Sequence, residues 1–209
     1  MLARFRRPRP DPGAAYAVAW INLRKRFPGL RHLLVTGASS GDDASLAAVE
    51  LAEAAVRLDG GQGLILILDS AMQDRRVPET DAAVRIIVAL SPGQVRGVLA
   101  EPTEDFAFVM VVAPPPQYDP ECITVAPLAE AAVIAARAGQ TRFRDAQLAA
   151  EMLRQAGIAT GAALLLSHRP AGRRPAKVTS LRGASRIADL RPRSAVSAPD
   201  STVGIELLS

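Results

Sequence analysis

Short apolar runs recur through the middle of this chain: Leu33–Thr36, Leu64–Leu68, Val84–Leu90, Phe106–Val112, Ala131–Ala136 and Gly161–Leu166. Each reads as a strand, and the continuous run Leu64–Leu68, closed by Asp69, reads as one buried on both faces, as in parallel sheets. Helical segments lie between them. Ala14–Phe27 spaces Tyr16, Trp20, Leu23 and Phe27 along one helix face before Pro28-Gly29 stops it. Ser45–Leu58 carries Leu46, Val49, Leu51, Ala52, Ala55 and Val56 and ends at Gly60-Gly61. Ser91-Pro92, a helix cap followed by a first-turn proline, opens Pro92–Ala100. Ala126–Glu130 finishes a short helix, and Thr141–Gln155 forms a longer one with Phe143, Ala146, Leu148, Met152 and Leu153 as its apolar positions. Strands alternating with helices over short connections predict an α/β domain, three layers deep, with a mainly parallel sheet.

With 49% hydrophobic and only 4% aromatic residues, the core of that domain is built from Ala, Val, Leu and Ile. No uninterrupted apolar run approaches the ~18 residues of a membrane span, and the basic start MLARFRRPRPDPG has no apolar stretch behind it to make a secretory signal. The single cysteine, Cys122, excludes an internal disulfide and fits a cytoplasmic location. Arginines gather at the ends, at Arg4, Arg6, Arg7 and Arg9 and again at Arg169, Arg173, Arg174, Arg182, Arg186, Arg191 and Arg193. The organisation expected is a basic flexible leader at 1–13, a folded domain at 14–167 and an Arg/Pro/Ser-rich, mostly disordered tail at 168–209. No aromatic residue is interleaved with the C-terminal arginines, which leaves no stacking platform for single-stranded nucleic acid. No nucleic-acid partner is expected.

The segment LLVTGASSGDDASLA at Leu33–Ala47 has the strand, small-residue loop and helix of a nucleotide site, with the sign of its charge reversed. Phosphate loops point backbone N–H groups and a helix N-terminus at the anion and add a lysine. Here the loop carries Asp42 and Asp43, read as a solvated helix start favoured by the helix dipole. VTGASSG is also similar to the glycine-rich turn of short-chain dehydrogenases, with Asp69 placed to select the cofactor NAD(P). That chemistry needs a tyrosine with a lysine four residues on; neither Tyr16 nor Tyr118 has one, the only lysines being Lys25 and Lys177. His32 and His168 are isolated and Cys122 has no ligand-spaced companion, so no metal motif is present.

Over residues 14–167 the chain resembles the cytoplasmic tyrosine kinases of bacterial exopolysaccharide and capsule systems, a branch of the deviant P-loop ATPases that includes the MinD and ParA type. The family order EAYRxLRTNL, TSxxPGEGKT, LLIDADLRRP and YDYVIIDTPP is matched by AAYAVAWINL at Ala14–Leu23, VTGASSGDDAS at Val35–Ser45, LILILDSAMQDRRVP at Leu64–Pro78 and DFAFVMVVAPPP at Asp105–Pro116. Its stretch VVRAGKTxxxAVxxALxLLxxAGxxxxGVVLN is matched by IAARAGQTRFRDAQLAAEMLRQAGIATGAALLLS at Ile134–Ser167. The resemblance implies a P-loop NTPase-like fold and a degenerate nucleotide site at Gly41, Ser45, Asp69, Arg75 and Arg76.

The departures fall on the residues that carry chemistry. The family's phosphate-pairing lysine is Ala44, its last loop glycine is Asp43, and the aspartate that holds magnesium through water is Val112. No tyrosine follows Tyr118, whereas the family's tail is tyrosine-rich, and the glutamate and two arginines that build its ring of subunits are Ala14, Ala17 and Trp20. The adenine-contacting asparagine is missing from LLLS. A non-catalytic member is expected, with Asp69 as the residual catalytic candidate, no required cofactor beyond weak ATP or ADP with magnesium, and no metal site. The resemblance implies a membrane polysaccharide co-polymerase or chain-length regulator as partner, in a homo- or hetero-oligomer at the inner face of the membrane. The alternatives are an active tyrosine kinase or ATPase with an altered loop, and a MinD-like positioning adaptor.

Overall fold

Every strand of the central sheet runs parallel to its neighbours. The computed structural model describes residues 12–72, 80, 83–101, 103–166 and 179–180. In chain order these form α1 (Pro12–Arg26), β1 (His32–Gly37), α2 (Ala44–Asp59), β2 (Gly63–Leu68), a 3₁₀ turn (Asp69–Met72), β3 (Val84–Leu90), α3 (Pro92–Ala100), β4 (Phe108–Ala113), α4 (Glu121–Val125), a second 3₁₀ turn (Ala126–Leu128), β5 (Ala131–Arg137), α5 (Phe143–Gln155), β6 (Thr160–Leu166) and the two-residue β7 (Thr179–Ser180). The strand order is β6-β5-β1-β4-β2-β3-β7. β2 and β4 are buried along their whole length, as their continuous apolar sequence requires.

Helices cover both faces, giving the three layers of a P-loop NTPase-like fold. On one face α1 and α2 pack over Val35, Ile65, Ile67, Met110, Val112 and Val133. On the other, α3, α4 and α5 supply Val95, Val98, Cys122, Val125, Ala149 and Leu153 against Leu34, Leu66, Val109 and Val111. Apolar burial at about 25 cal/mol per Å² drives this closure from both sides. The alanines of α2 lie flat on the sheet; Ala47, Ala48, Ala52, Ala54 and Ala55 are fully buried. Trp20 joins α1 to α2 and to the sheet at once. Its indole N–H donates to Asp59 Oδ2 at 2.9 Å, and its ring tilts against Phe108 with centroids 5.2 Å apart.

Local signals set the ends of the elements. Ser91 accepts the Gln94 N–H while the Gln94 side chain accepts the Ser91 N–H, closing a capping box on α3. Gly60, at φ 74°, takes the left-handed conformation that ends α2. β4 begins at Phe108 rather than Phe106, because the Phe106 N–H is used in a turn to Thr103 O before the strand starts. α5 buries a narrower face than its apolar residues suggest. Phe143 and Leu148 are exposed, whereas Ala149 and Leu153 are buried. Residues 1–11 lie outside the described residues, and so does the 168–209 tail apart from Thr179–Ser180, which pair with Ile87 and Val88 of β3.

Candidate functional site

The chain leaves β1 toward α2 and β2 on one side of the sheet, and leaves β4 toward β5 on the other. The carboxyl ends of the adjacent strands β1 and β4 therefore border a topological switch point, where open α/β sheets form crevices. Thr36 ties the two ends together, its hydroxyl donating to Pro114 O at 2.8 Å. A cleft of about 100 Å³ opens there, lined among others by Gly37, Ala44, Ser45, Ser70, Tyr118 and Asp119.

Asp42 organises the loop between β1 and α2. Its Oδ2 accepts the Ser39 N–H at 2.8 Å and the Ser39 hydroxyl at 3.0 Å. Its Oδ1 accepts the Arg137 N–H at 2.8 Å from the end of β5, and the Thr141 hydroxyl beyond it. Asp42 is 3% exposed. The expectation that Asp42 and Asp43 both form a solvated helix start therefore holds in part only. Asp43 does cap α2, accepting the Leu46 N–H at 3.1 Å, but Asp42 is an internal carboxylate surrounded by donors. A buried carboxylate is tolerated where several hydrogen bonds replace its hydration. The fold here has built an anion into the loop that elsewhere would receive one from solution.

The residues singled out from sequence are placed differently from one another. Ser45, in the first turn of α2, is buried and lines the cleft. Ala44 lines the cleft beside it and brings no charge. Gly41 is exposed in the loop and is not part of the lining. Asp69 is exposed at the start of the 3₁₀ turn after β2; the turn brings Ser70 and Ala71 to the cleft instead. Val112 is buried in the sheet face under α2, in register with Val35 and Ile67. Arg75 and Arg76 lie outside the described residues.

Sequence reasoning missed Ser70, Asp119 and Glu121. Asp119 Oδ1 accepts the Glu121 N–H at 2.8 Å at the start of α4, while the Ser70 hydroxyl donates to Glu121 Oε2. An aspartate between prolines just ahead of a short helix is a cap signal that would have found Asp119. Among the described residues, Asp42 and Asp119 are the charged members of the lining, and no described Lys, Arg or His belongs to it. Cys122 is fully buried behind this site, with its S–H toward the Thr36 hydroxyl at 3.8 Å. Burial pushes its thiol up to about 12, which keeps it protonated and unreactive. No group of His, Cys, Asp and Glu among the described residues is arranged to hold a metal ion.

No family model and no curated protein matches this sequence. Solved structures do match its fold. The kinase domain of Escherichia coli tyrosine kinase ETK is 14% identical at a TM-score of 0.58, with 78% of each chain covered. The chimerical protein CapA2B2 is 12% identical at a TM-score of 0.59, covering 77% of this chain and 87% of its own. The BceF tyrosine kinase domain is 16% identical at a TM-score of 0.53, covering 74% and 75%. The chain has the fold of these tyrosine kinase domains.

Proposed function

We propose that this protein is a non-catalytic, tyrosine-kinase-like cytoplasmic component of exopolysaccharide or capsule synthesis and export, docking on a membrane co-polymerase or chain-length regulator. Two observations support this reading: the ordered motif blocks of the sequence, and a fold shared with tyrosine kinase domains. The observation that carries the non-catalytic part is the Asp42 carboxylate, held in the loop by hydrogen bonds from Ser39, Arg137 and Thr141. A phosphate brought to that loop meets a fixed negative charge, with Ala44 in place of a neutralising lysine and the apolar Val112 in place of a magnesium-binding carboxylate. The cleft is also small beside the roughly 300–1,000 Å³ of ordinary ligand pockets.

No helix among the described residues is long and apolar enough to cross a membrane. Membrane association in this reading comes from the partner, assisted by basic segments near anionic headgroups. The test is affinity purification of the tagged chain from crosslinked membranes, together with polysaccharide output of a deletion strain. The proposal expects a membrane polysaccharide protein to co-purify and the amount or length of polysaccharide to change. Absence of such a protein with unchanged output contradicts it.

One observation favours a second reading, an ATPase or tyrosine kinase with an altered phosphate loop. Ser45 is buried and lines the cleft, at the position where the family's magnesium-binding hydroxyl stands. Asp69, Arg75 and Arg76 are the further residues to substitute in testing it.

A further inference from the structure

We propose that the corner of the molecule where β5 and β6 end and α5 begins is a contact surface for an anionic bilayer, with Phe143 and Leu165 entering the acyl boundary and Arg142 and Arg144 meeting the headgroups. This gives the chain a membrane contact of its own, whether or not its partner belongs to polysaccharide export. The first support is apolar area left in water. Phe143 is 77% and Leu165 72% exposed, and Leu148 continues the exposed face of α5 at 47%. Topology brings the first two to one corner. β6 is an edge strand whose Leu164 and Leu166 point to the side of α1 and α2, so Leu165 between them points to the side of α5, beside its register partner Ala136. Phe143 opens α5 at the same end of the sheet, after the short turn from β5.

The second support is charge placed against a helix dipole. α2 and α3 begin with Asp43 and Ser91 as caps, whereas α5 has Arg142 at its cap position, with no side-chain cap hydrogen bond, and Arg144 in its first turn. Cations at the positive end of a helix are unfavourable, and Asp145 in the same turn offsets only one of the two. Both arginines are exposed, and neither forms an ion pair among the described residues. An anionic headgroup relieves this repulsion and accepts from the first-turn N–H groups as well. The stretch 167–209, which leaves the sheet from Leu166 at this corner, carries eight Lys and Arg against three Asp and Glu, so its own charge has the same sign.

The combination selects a lipid surface over other polyanions. Arg142 and Arg144 flank Phe143 in sequence, so the basic and apolar side chains are interleaved rather than segregated. Exposed leucine gains nothing from a phosphate backbone, whereas at a bilayer the apolar side chains leave water while the arginine stems lie along the boundary with their heads among anionic groups. The nearby Arg137 takes less part, since its guanidinium is turned to Gln140 at 3.0 Å. Farther along α5, Glu151 is engaged by Arg154 and Gln155, which keeps that end of the helix close to neutral and leaves the positive charge at the Phe143 end.

The experiment is co-sedimentation of the full-length chain with vesicles of phosphatidylcholine, alone or mixed with phosphatidylglycerol, joined to the fluorescence of Phe143→Trp. The expected result is binding to the mixed vesicles that weakens with salt, and on binding a blue shift in Phe143→Trp that wild type lacks, its Trp20 being buried already. Arg142→Gln and Arg144→Gln should each weaken binding about fivefold, and Phe143→Ala about tenfold, at melting temperatures close to wild type. Leu58→Ala, exposed on α2, should leave binding unchanged. Binding that survives in the Phe143 and arginine variants belongs to the basic tails and overturns the proposal. So do no binding, equal binding to phosphatidylcholine alone, no blue shift, or the same blue shift with an oligonucleotide or polyglutamate in place of lipid.

Discussion

Asp42 accepts the backbone N–H of Arg137 at 2.8 Å across a sequence separation of 95 residues. Through this contact the loop after β1 is fastened to the end of β5, and through the Thr141 hydroxyl to the turn before α5. A residue that looked like an obstacle to phosphate is a structural tie of the folded chain. Asp42→Ala strands the Ser39 N–H and the Ser39 and Thr141 hydroxyls and leaves the Arg137 N–H with the Thr141 oxygen alone, so we expect a loss of about 3 kcal/mol in stability. Asp42→Asn, which keeps acceptor capacity on one atom, loses less. Urea unfolding midpoints at unchanged slope measure both. Equal stability of wild type and Asp42→Ala would remove this role.

Gly63, the first residue of β2, sits where an added methyl would lie 2.4 Å from Phe108 Cζ. Phe108 is itself buried against Trp20, so its ring has little room to withdraw. Gly63→Ala is expected to destabilise by about 1–3 kcal/mol through overpacking. Thermal unfolding of Gly63→Ala beside Gly97→Ala separates this contact from the generic effect of the substitution, since nothing lies within 4 Å of a methyl at Gly97.

His32 gives the stability a pH dependence near neutrality. Desolvation lowers its pKa below the ordinary 6.5, and this outweighs the attraction of Glu130, whose carboxylate lies 3.9 Å from Nδ1. The unfolded chain therefore binds the proton more readily than the folded one, and stability falls as pH drops through 6.5 toward the folded pKa. Denaturant midpoints measured between neutrality and the onset of carboxylate protonation should decline for wild type and flatten for His32→Gln. A slope that is unchanged in the variant places the titration elsewhere.

The sheet could be read from the chain because its strands are predominantly apolar, β2 and β4 wholly so, and the segments between them carry local cap and stop signals. Val84–Leu90 and Pro92–Ala100 were bounded correctly, since Ser91, Pro92 and Gln94 form a self-contained start signal. The buried face of α5 was less visible. Its core contacts are made by Ala149 and Leu153, and alanines count for little in an apolar pattern beside Phe143 and Leu148, which point to solvent.

The candidate site was legible only where it is local. Asp43 caps the helix that begins beside it, as adjacent residues in a sequence can suggest. The Asp42 contacts with Arg137 and Thr141 arise only once β1 and β5 are paired, and no spacing rule encodes them. Ser70 enters the cleft and Asp69 does not because the chain turns tightly after β2, rotating successive side chains to different sides.

The central claim is that the loop after β1 carries its own anion and takes no nucleotide. The direct measurement is the melting temperature of the full-length chain with and without millimolar MgATP or MgADP, since a ligand selective for the folded state must raise stability by mass action. We predict no shift. A concentration-dependent rise that disappears in Ser45→Ala or Asp69→Ala would contradict the account and establish a working nucleotide site.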